Sequence, residues 1–386
     1  MNLDFTVLKQ AAECRARIGR LTTAHGVVET PVFMPVGTQG TVKTLSPDEL
    51  LEVKSQIILG NTYHLYLRPG HKIIEKAGGL HKFACWEKSI LTDSGGFQVY
   101  SLTSLRKIND EGVVFQSHHD GSYHHFTPEH SMEIQMSLGS DIMMVLDECP
   151  PYPCTEKYAA QSVTRTTNWA KRCLLKVQES QPKFGYDQLL FAIVQGSTFP
   201  LLRKISAEQL IELDFPGYAI GGLSIGEPKS VLFEMAQICT ELLPKEKPRY
   251  LMGMGKPDDL VNAVALGVDM FDCVIPTRNG RKGQVFTWNG PMNIKNASFK
   301  EDFQPIDETC ACYACSKFSR AYIRHLFQAD EILGMRLATQ HNLHFYHELV
   351  AQMRAKIQKG NFEAWRQQFI NNYKTNHNKV NDSNYL

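Results

Sequence analysis

Eight short apolar runs recur before residue 272, and they constrain the fold of this chain more than any other feature. The runs are continuous rather than alternating, which is typical of strands buried on both faces, and they are too short for helices. They are Pro31–Val36, Gln56–Gly60, Ser89–Thr92, Asp141–Leu146, Leu189–Val194, Gly217–Gly221, Arg249–Gly253 and Val268–Phe271. Helix starts with a proline and an acidic residue separate several of them, at Ser46-Pro47-Asp48-Glu49, Thr127-Pro128-Glu129 and Lys256-Pro257-Asp258-Asp259.

Buried strands that alternate with helices predict a parallel sheet, and eight strands fit a closed α/β barrel of the (β/α)8 TIM type. An open doubly wound sheet is the alternative. An antiparallel insert is predicted at about 105–126, where Asp120-Gly121 separates two strand-like runs. We therefore expect a barrel over 1–278, a zinc-binding subdomain with C-terminal helices over 279–370, and a disordered, asparagine-rich tail over 371–386.

The composition excludes several classes of protein. The 386 residues are 43% hydrophobic and 21% charged, which is too apolar for a disordered chain. No stretch approaches the roughly 18 uncharged apolar residues of a membrane span, and the first residues lack a signal pattern. We expect a soluble, cytoplasmic protein. Since the net charge is only +1, a nucleic-acid partner would need a local basic patch.

Polar residues follow the predicted strands at the end where barrel enzymes carry their chemistry. Asp93, Asp147 and Asp272 each follow an apolar run, and Gln195 and Gly221-Gly222 follow two others. A single aspartate there could be an ordinary cap or turn residue, but three carboxylates and an amide indicate a site. Two carboxylates facing an anomeric carbon can exchange a group at a sugar, one as nucleophile and the other as acid and base.

A basic run follows Asp272 within ten residues, at Arg278, Arg281 and Lys282. Such a run suits phosphate binding, and a solvated surface run is the alternative. The glycine-containing segment 253–257 matches neither a Walker motif nor a dinucleotide-binding motif. A barrel glycoside hydrolase would use the carboxylate pair but would leave the basic run without a role. These features favour a nucleotide or nucleic-acid substrate.

Three of the ten cysteines, Cys310, Cys312 and Cys315, lie within six residues. Three thiolates and one imidazole form a closed tetrahedral zinc site, which is structural because no position is left for water. The alternative is three surface thiols that bind no metal. This alternative is disfavoured because exposed clustered thiols are reactive. Spacing does not choose the histidine; the candidates are His325, His341, His344 and His347.

Seven separate motifs resemble, in order and spacing, the bacterial tRNA-guanine transglycosylase family, from about Phe5 to Trp365. They are Asp93-Ser94-Gly95-Gly96-Phe97-Gln98, Asp147-Glu148-Cys149, Val194-Gln195-Gly196, Gly221-Gly222-Leu223-Ser224-Ile225-Gly226-Glu227, Leu251-Met252-Gly253, Asp272-Cys273-Val274-Ile275-Pro276-Thr277-Arg278 and the cysteine cluster.

The resemblance implies a homodimeric zinc-containing barrel that acts on tRNAs with a GUN anticodon, those for aspartate, asparagine, histidine and tyrosine. The family replaces the wobble guanine with 7-aminomethyl-7-deazaguanine, a precursor of queuosine, through a covalent ribosyl-enzyme intermediate. By resemblance Asp272 is the nucleophile on ribose C1′ and Asp93 the general acid and base. The other residues implied by resemblance are Phe97, Asp147, Cys149, Gln195, Gly222, Leu223 and Met252 around the base, Lys256, Arg278 and Arg281 on the anticodon loop, and Cys310, Cys312, Cys315 and His341 on zinc.

Two positions bear on which base is used. Relatives that take the bulkier queuine carry small or different residues where Cys149 and Ile225 stand, and Ile225 is larger than the valine usual in bacteria. We therefore expect the small aminomethyl base, exchanged without ATP or a redox cofactor. One alternative is a queuine-salvaging bacterial enzyme. The other is a non-catalytic tRNA-binding partner subunit, and the presence of both Asp93 and Asp272 disfavours this second alternative.

Overall fold

The structure is a computed structural model that describes residues 4–96 and 106–382. Its strands are β1 (Phe5–Gln10), β2 (Arg17–Thr23), β3 (Gly26–Thr30), β4 (Val32–Gly37), β5 (Ile57–Asn61), β6 (Ser89–Asp93), β7 (Arg106–Asn109), β8 (Gly112–Gln116), β9 (Tyr123–Phe126), β10 (Ile142–Met144), β11 (Leu189–Val194), β12 (Gly217–Ile220), β13 (Arg249–Leu251), β14 (Met270–Cys273), β15 (Gln284–Thr287) and β16 (Gly290–Asn293). Its helices are α1 (Pro47–Glu52), α2 (Thr62–Leu67), α3 (His71–Lys76), α4 (Leu80–Ala84), α5 (Pro128–Leu138), α6 (Glu156–Gln178), α7 (Pro200–Ile211), α8 (Lys229–Leu242), α9 (Pro257–Ala265), α10 (Ile275–Gly280), α11 (Tyr313–Lys317), α12 (Arg320–Gln328), α13 (Ile332–Lys359) and α14 (Phe362–Asp382). Among the described residues, no helix has both the length and the apolar character that a membrane crossing requires.

Eight parallel strands close into a barrel, which confirms the predicted (β/α)8 fold and excludes the open sheet. Their order is β4, β5, β6, β10, β11, β12, β13 and β14, and β14 pairs with β4 to complete the circle, with Met270 opposite Val32. Every residue of β5, β6 and β11 is buried, as expected for strands covered on both faces. Each strand overlaps one of the eight predicted runs.

The predicted helix starts are also present. α1 begins behind Ser46, whose side chain accepts a hydrogen bond from the Glu49 N–H, while the Glu49 side chain binds the Ser46 N–H in return. α5 begins at Pro128 with Thr127 as its cap, and α9 begins at Pro257. These helices supply the crossovers that parallel neighbouring strands need.

A three-stranded antiparallel sheet, β1 to β3, precedes the barrel and was not predicted. β1 alternates partly buried and exposed residues, so it lacks the continuous apolar run that marks the barrel strands. The sheet lies at the N-terminal end of the barrel, where the Arg17 guanidinium donates to both oxygens of Asp269 at 2.9 and 2.6 Å. Nearby, His25 and His81 each contact one carboxylate oxygen of Asp141, at 2.9 and 3.1 Å. These contacts close the end opposite the strands' carboxyl ends.

The insert is an antiparallel sheet in the order β7, β8, β9, which confirms the prediction for its described part. The tight turn, however, lies between β7 and β8 rather than at Asp120-Gly121. There Asn109 Oδ1 accepts hydrogen bonds from the N–H groups of Glu111 and Gly112, which closes the two-residue turn. β8 and β9 are joined by a longer loop over 117–122, because the register pairs Gln116 with Tyr123.

The C-terminal region contains a small second core around the cysteine cluster, which includes Val285, Ile306 and Ile323. The long helix α13 connects this core to the barrel, since Leu343 and Tyr346 belong to the barrel core. α14 continues through Asp382. The disordered tail over 371–386 stays a prediction.

Candidate active site

A cavity of about 570 Å³ lies at the carboxyl ends of the barrel strands. Half of the sixteen site residues predicted from the sequence line this one cavity. Among them are Asp93, Asp147, Cys149, Gly222, Leu223, Met252, Asp272 and Arg278. Phe97 lies outside the described residues. The closed barrel explains the convergence, because it brings the carboxyl ends of all eight strands to one mouth.

Asp93 is the last residue of β6 and is 8% exposed. Its carboxylate accepts hydrogen bonds from the Asn61 side-chain amide at 2.6 Å and from the Thr62 N–H at 3.0 Å. Burial raises the pKa of Asp93 to about 7, and the nearby charge of Asp272 adds to this, although the backbone hydrogen bonds oppose it. Asp93 can therefore both donate and accept a proton near neutral pH.

Asp272 lies in β14 and has different partners. The Tyr250 hydroxyl donates to Asp272 Oδ1 at 2.6 Å, and the Gly253 N–H donates to the same oxygen at 2.8 Å. Burial raises the pKa of Asp272, and these two hydrogen bonds oppose the rise by stabilising the carboxylate. Both bonds go to Oδ1, which leaves Oδ2 as the oxygen available to a substrate. The two carboxylates thus have distinct environments, as an acid and a nucleophile require.

A third carboxylate forms a polar edge on another wall. Asp147 accepts hydrogen bonds from the Ser94 hydroxyl and from the Gln195 amide, both at 2.8 Å. Burial raises the pKa of Asp147, and these bonds oppose that effect. Gln195 is fully buried, and its Oε1 has no hydrogen-bond partner in the part of the chain that the structure describes. Asp147 lines the cavity and could bind a purine edge, whereas Gln195 is not among the described residues that line it.

Glycine is required at the end of β12 because the backbone there packs directly on Gln195. A Cβ atom on Gly222 would lie 2.3 Å from Gln195 Oε1, and Gly222 has a φ of +64°. A Cβ atom on Gly221 would lie 2.6 Å from Ile193 and 2.9 Å from the Gln195 amide nitrogen. Any side chain there would push the amide away from the cavity edge.

Several residues that support the site were not selected from the sequence. Asn61 was missed although it follows an apolar run in the same way as Asp93, so the same signal could have found it. Tyr250 was treated as a strand residue, and only the barrel reveals its bond to Asp272. Glu227 accepts from the N–H groups of Ser224 and Ile225, which shapes the loop after β12.

The predicted cations lie on one side of the mouth. Arg278 is exposed and lines the cavity, and Arg281 is partly buried nearby. The Nη1 atom of Arg281 is buried and has no hydrogen-bond partner among the described residues. Burial and the adjacent Arg278 lower the pKa of Arg281. Lys256 lines a neighbouring cavity of about 500 Å³ rather than the one that contains Asp93 and Asp272.

The cysteine cluster is brought together with one histidine, His341. Its Nδ1 atom lies 3.7, 3.6 and 3.3 Å from the sulfurs of Cys310, Cys312 and Cys315. A tetrahedral zinc ion, with Zn–S of about 2.3 Å and Zn–N of about 2.0–2.1 Å, would place nitrogen and sulfur about 3.5 Å apart. His341 Nε2 contacts the Phe286 carbonyl at 2.8 Å, which leaves Nδ1 for the sulfurs. These four residues could hold a metal ion.

A second group with ligand atoms close together consists of His25, His81 and Asp141. The two imidazole rings are stacked, with centroids 3.6 Å apart and planes inclined by 17°. Parallel stacked rings direct their nitrogen lone pairs side by side rather than toward one point. We therefore interpret this group as a set of hydrogen bonds that links the N-terminal sheet to the barrel.

Fold and site together define a class of protein: a (β/α)8-barrel enzyme whose carboxylate pair suits exchange at a glycosidic carbon. The family model described as queuine tRNA-ribosyltransferase matches residues 12–375. The chain belongs to this family. Its reaction is tRNA-guanine transglycosylation in queuosine biosynthesis, so the chain is a pentosyltransferase that acts on tRNA. This confirms the resemblance found in the sequence motifs.

Similar proteins extend over almost the whole chain. The queuine tRNA-ribosyltransferase of Caldanaerobacter subterraneus subsp. tengcongensis is 56% identical over 371 residues, which cover 96% of this chain and 98% of the relative. Proteins of the same name from Natranaerobius thermophilus and Desulforapulum autotrophicum are 55% and 56% identical. They match over 97% and 95% of this chain, and over 100% and 98% of their own lengths.

Proposed function

We propose that this chain exchanges the wobble guanine of GUN-anticodon tRNAs for 7-aminomethyl-7-deazaguanine through a covalent ribosyl-enzyme intermediate. One observation carries the proposal: Asp93 and Asp272 line the same cavity but have different hydrogen-bond partners. Family membership supplies the reaction type, and the two carboxylates supply the groups that this reaction needs.

In this proposal Asp272 is the nucleophile. Its Oδ2 attacks ribose C1′ while Oδ1 stays anchored by Tyr250 and Gly253. The bond from C1′ to guanine breaks, and Asp93 supplies the proton that the leaving base takes up. The incoming base then gives a proton to Asp93 and displaces Asp272 from C1′. One glycosidic bond replaces another, so the exchange needs neither ATP nor a redox cofactor.

The base is held by the polar edge and by the loop after β12. The Asp147–Gln195 pair and the Gly222 N–H read the purine edge, while the Leu223 carbonyl accepts from the aminomethyl ammonium group. A wrong base would leave buried polar groups unpaired, at about 1–3 kcal/mol each. Met252 lines the cavity as one face of the base site, and Phe97 is assigned to the other face by resemblance alone.

Two side chains of the cavity wall favour the small base. Cys149 and Ile225 both line the cavity, and Cys149 is 6% exposed. Burial raises the pKa of Cys149 to about 12, so its thiol stays neutral. The side chain then serves only to limit the space available to the base. We expect the aminomethyl base to outcompete queuine for one tRNA pool. Preferential incorporation of queuine in a direct competition would contradict this choice.

We further propose that the anticodon loop binds beside the cavity, on Lys256, Arg278 and Arg281. The exposed guanidinium of Arg278 supports this, because it lines the cavity mouth where a phosphate oxygen can reach it. The cysteine cluster is proposed to bind one structural zinc ion per subunit, held by Cys310, Cys312, Cys315 and His341, which would cross-link the loop before α11 to α13. The active enzyme is proposed to be a homodimer.

The central test follows labelled guanine into unmodified tRNA. Asp272→Asn removes the nucleophile, so incorporation should fall to background although tRNA still binds. Asp214→Asn is the matched control, because Asp214 is an exposed residue that contacts Lys247. If Asp272→Asn exchanges label at an undiminished rate, the nucleophile assignment is wrong.

A further inference from the structure

Arg203 is a fully buried cation directly behind the base-reading wall. It lies in α7, and its guanidinium donates to four backbone carbonyls. Nη1 binds the carbonyls of Val194 and Gly221 at 3.0 and 2.7 Å. Nε binds the Ser197 carbonyl at 2.8 Å, and Nη2 contacts that of Gly222 at 3.3 Å. One side chain therefore joins the carboxyl ends of β11 and β12.

These bonds fix the direction of the neighbouring N–H groups. In a trans peptide the C=O and N–H groups point in opposite directions. Because the Gly221 carbonyl points back to Arg203, the Gly222 N–H must point away from it, toward the cavity that Gly222 lines. The Gly222 carbonyl orients the Leu223 N–H in the same way. Neither N–H donates to a protein acceptor among the residues that the structure describes.

The same guanidinium supports two turns that need a positive φ. Ser197 has a φ of +49°, which is uncommon for a residue with a side chain, and its carbonyl is the acceptor for Arg203 Nε. Gly196, with a φ of +136°, packs so closely on α7 that a Cβ atom would lie 2.7 Å from the Arg203 backbone nitrogen. Arg203 thus stabilises the turn that follows Gln195 as well as the turn at Gly222.

No carboxylate lies within ion-pair distance of Arg203 in the described part of the chain, so its charge interacts with backbone dipoles instead. A buried guanidinium is costly for stability unless its donors are used, and here they reach four carbonyls and the Cys239 side chain. Lysine could not replace it, because an ammonium is a point charge without the planar fork that reaches several carbonyls.

We infer that Arg203 is a positioning residue for base recognition: it aims the N–H groups of Gly222 and Leu223 at the carbonyl of the bound base. The inference rests on the proposed function of this cavity. Arg203 itself does not touch the base, since its guanidinium lies on the other side of the Gly221–Gly222 backbone. Its loss should therefore weaken recognition of the base carbonyl more than binding of tRNA.

The experiment compares two bases that differ at that carbonyl. Guanine carries the oxygen and an N1–H donor, whereas 2-aminopurine has hydrogen at C6 and an N1 acceptor. The N1 contribution is common to both proteins, so the change in the ratio of the two inhibition constants between wild type and Arg203→Lys reports the N–H contact. In Arg203→Lys we expect this preference for guanine to fall about tenfold, as for the loss of one aligned hydrogen bond, with KM for tRNA little changed.

Arg249→Lys is the matched control. Arg249 is also buried and also binds backbone carbonyls, including that of Leu243 at 2.7 Å, but it lies at the opposite end of the barrel. The control should keep the wild-type ratio. A folded Arg203→Lys protein with an unchanged ratio would overturn the inference, as would an equal fall in both variants. If the wild type exchanged no guanine at all, the proposed function would fail instead.

A measurement on the unaltered enzyme tests the premise of the inference, the direction of the two N–H groups, even if Arg203→Lys does not fold. Residue-resolved amide hydrogen exchange should show the Gly222 and Leu223 N–H groups exchanging rapidly in the free enzyme. Guanine should then protect them by at least about tenfold, in line with one new hydrogen bond. Strong protection before guanine is added, or none afterwards, would show that these groups do not point into the cavity.

Discussion

The raised pKa of Asp93 predicts how guanine release depends on pH. In the proposed mechanism Asp93 is the general acid, so release requires its protonated form because the leaving base takes up a proton. With a pKa of about 7, the protonated fraction is about 0.9 at pH 6 and about 0.09 at pH 8, so the rate should fall about tenfold across this interval. Below pH 6 the rate should reach a plateau.

An aspartate of ordinary acidity would behave differently. With a pKa of 3.8 the protonated fraction would change about tenfold for every pH unit from 5 to 8, with no plateau. The assay is a single turnover with tRNA that carries labelled guanine, quenched at short times across this pH range. In the proposed mechanism, incorporation of a base into the covalent intermediate requires ionised Asp93. The rate of that half-reaction should therefore rise with pH.

A substitution next to Asp93 tests whether the fall in the release rate between pH 6 and pH 8 reflects the ionisation of Asp93. The Asn61 amide donates to the Asp93 carboxylate at 2.6 Å and so stabilises the ionised form. Asn61→Ala should move the midpoint of guanine release to higher pH, while Asn109→Ala, in the turn of the insert, should leave it in place. A release rate that continues to rise tenfold per unit below pH 6 would refute the assignment.

Three further predictions concern binding, the metal and the barrel end. Arg281→Ala should make the dependence of log Kd for tRNA on log salt shallower by about one if the side chain meets a phosphate, and an unchanged slope would make it an ordinary surface cation. Chelation should unfold the C-terminal module or dissociate subunits, seen by circular dichroism and sedimentation, before it affects the chemical step; loss of chemistry with structure intact would contradict a structural metal. Arg17→Met should lower the free energy of unfolding by about 3–5 kcal/mol, because it leaves the fully buried Asp269 without its cation, and denaturant titration showing less than about 1 kcal/mol would contradict this.

The barrel was predictable because its signal is local. Each barrel strand is a continuous apolar run, and several of the helices begin with a proline behind a capping residue, so both can be recognised without knowing their neighbours. The N-terminal sheet was not predicted because it lacks such a local signal. Its first strand alternates partly buried and exposed residues and resembles many surface segments. The tight turn of the insert was misplaced because Asn109 closes it through side-chain bonds that the sequence pattern does not reveal.

By itself the sequence determined which residue types stand at the strand ends, and hence that carboxylates, an amide and two glycines meet at one mouth. Only the tertiary structure decided how they differ. Asp93 and Asp272 both follow apolar runs, yet their pKa values depend on burial and on donors from other strands, Asn61 and Tyr250. His341 reaches the thiols because α13 packs beside them, a contact between residues 26 to 31 positions apart. Acidity and ligand choice depend on distances between remote parts of the chain, and folding alone sets those distances.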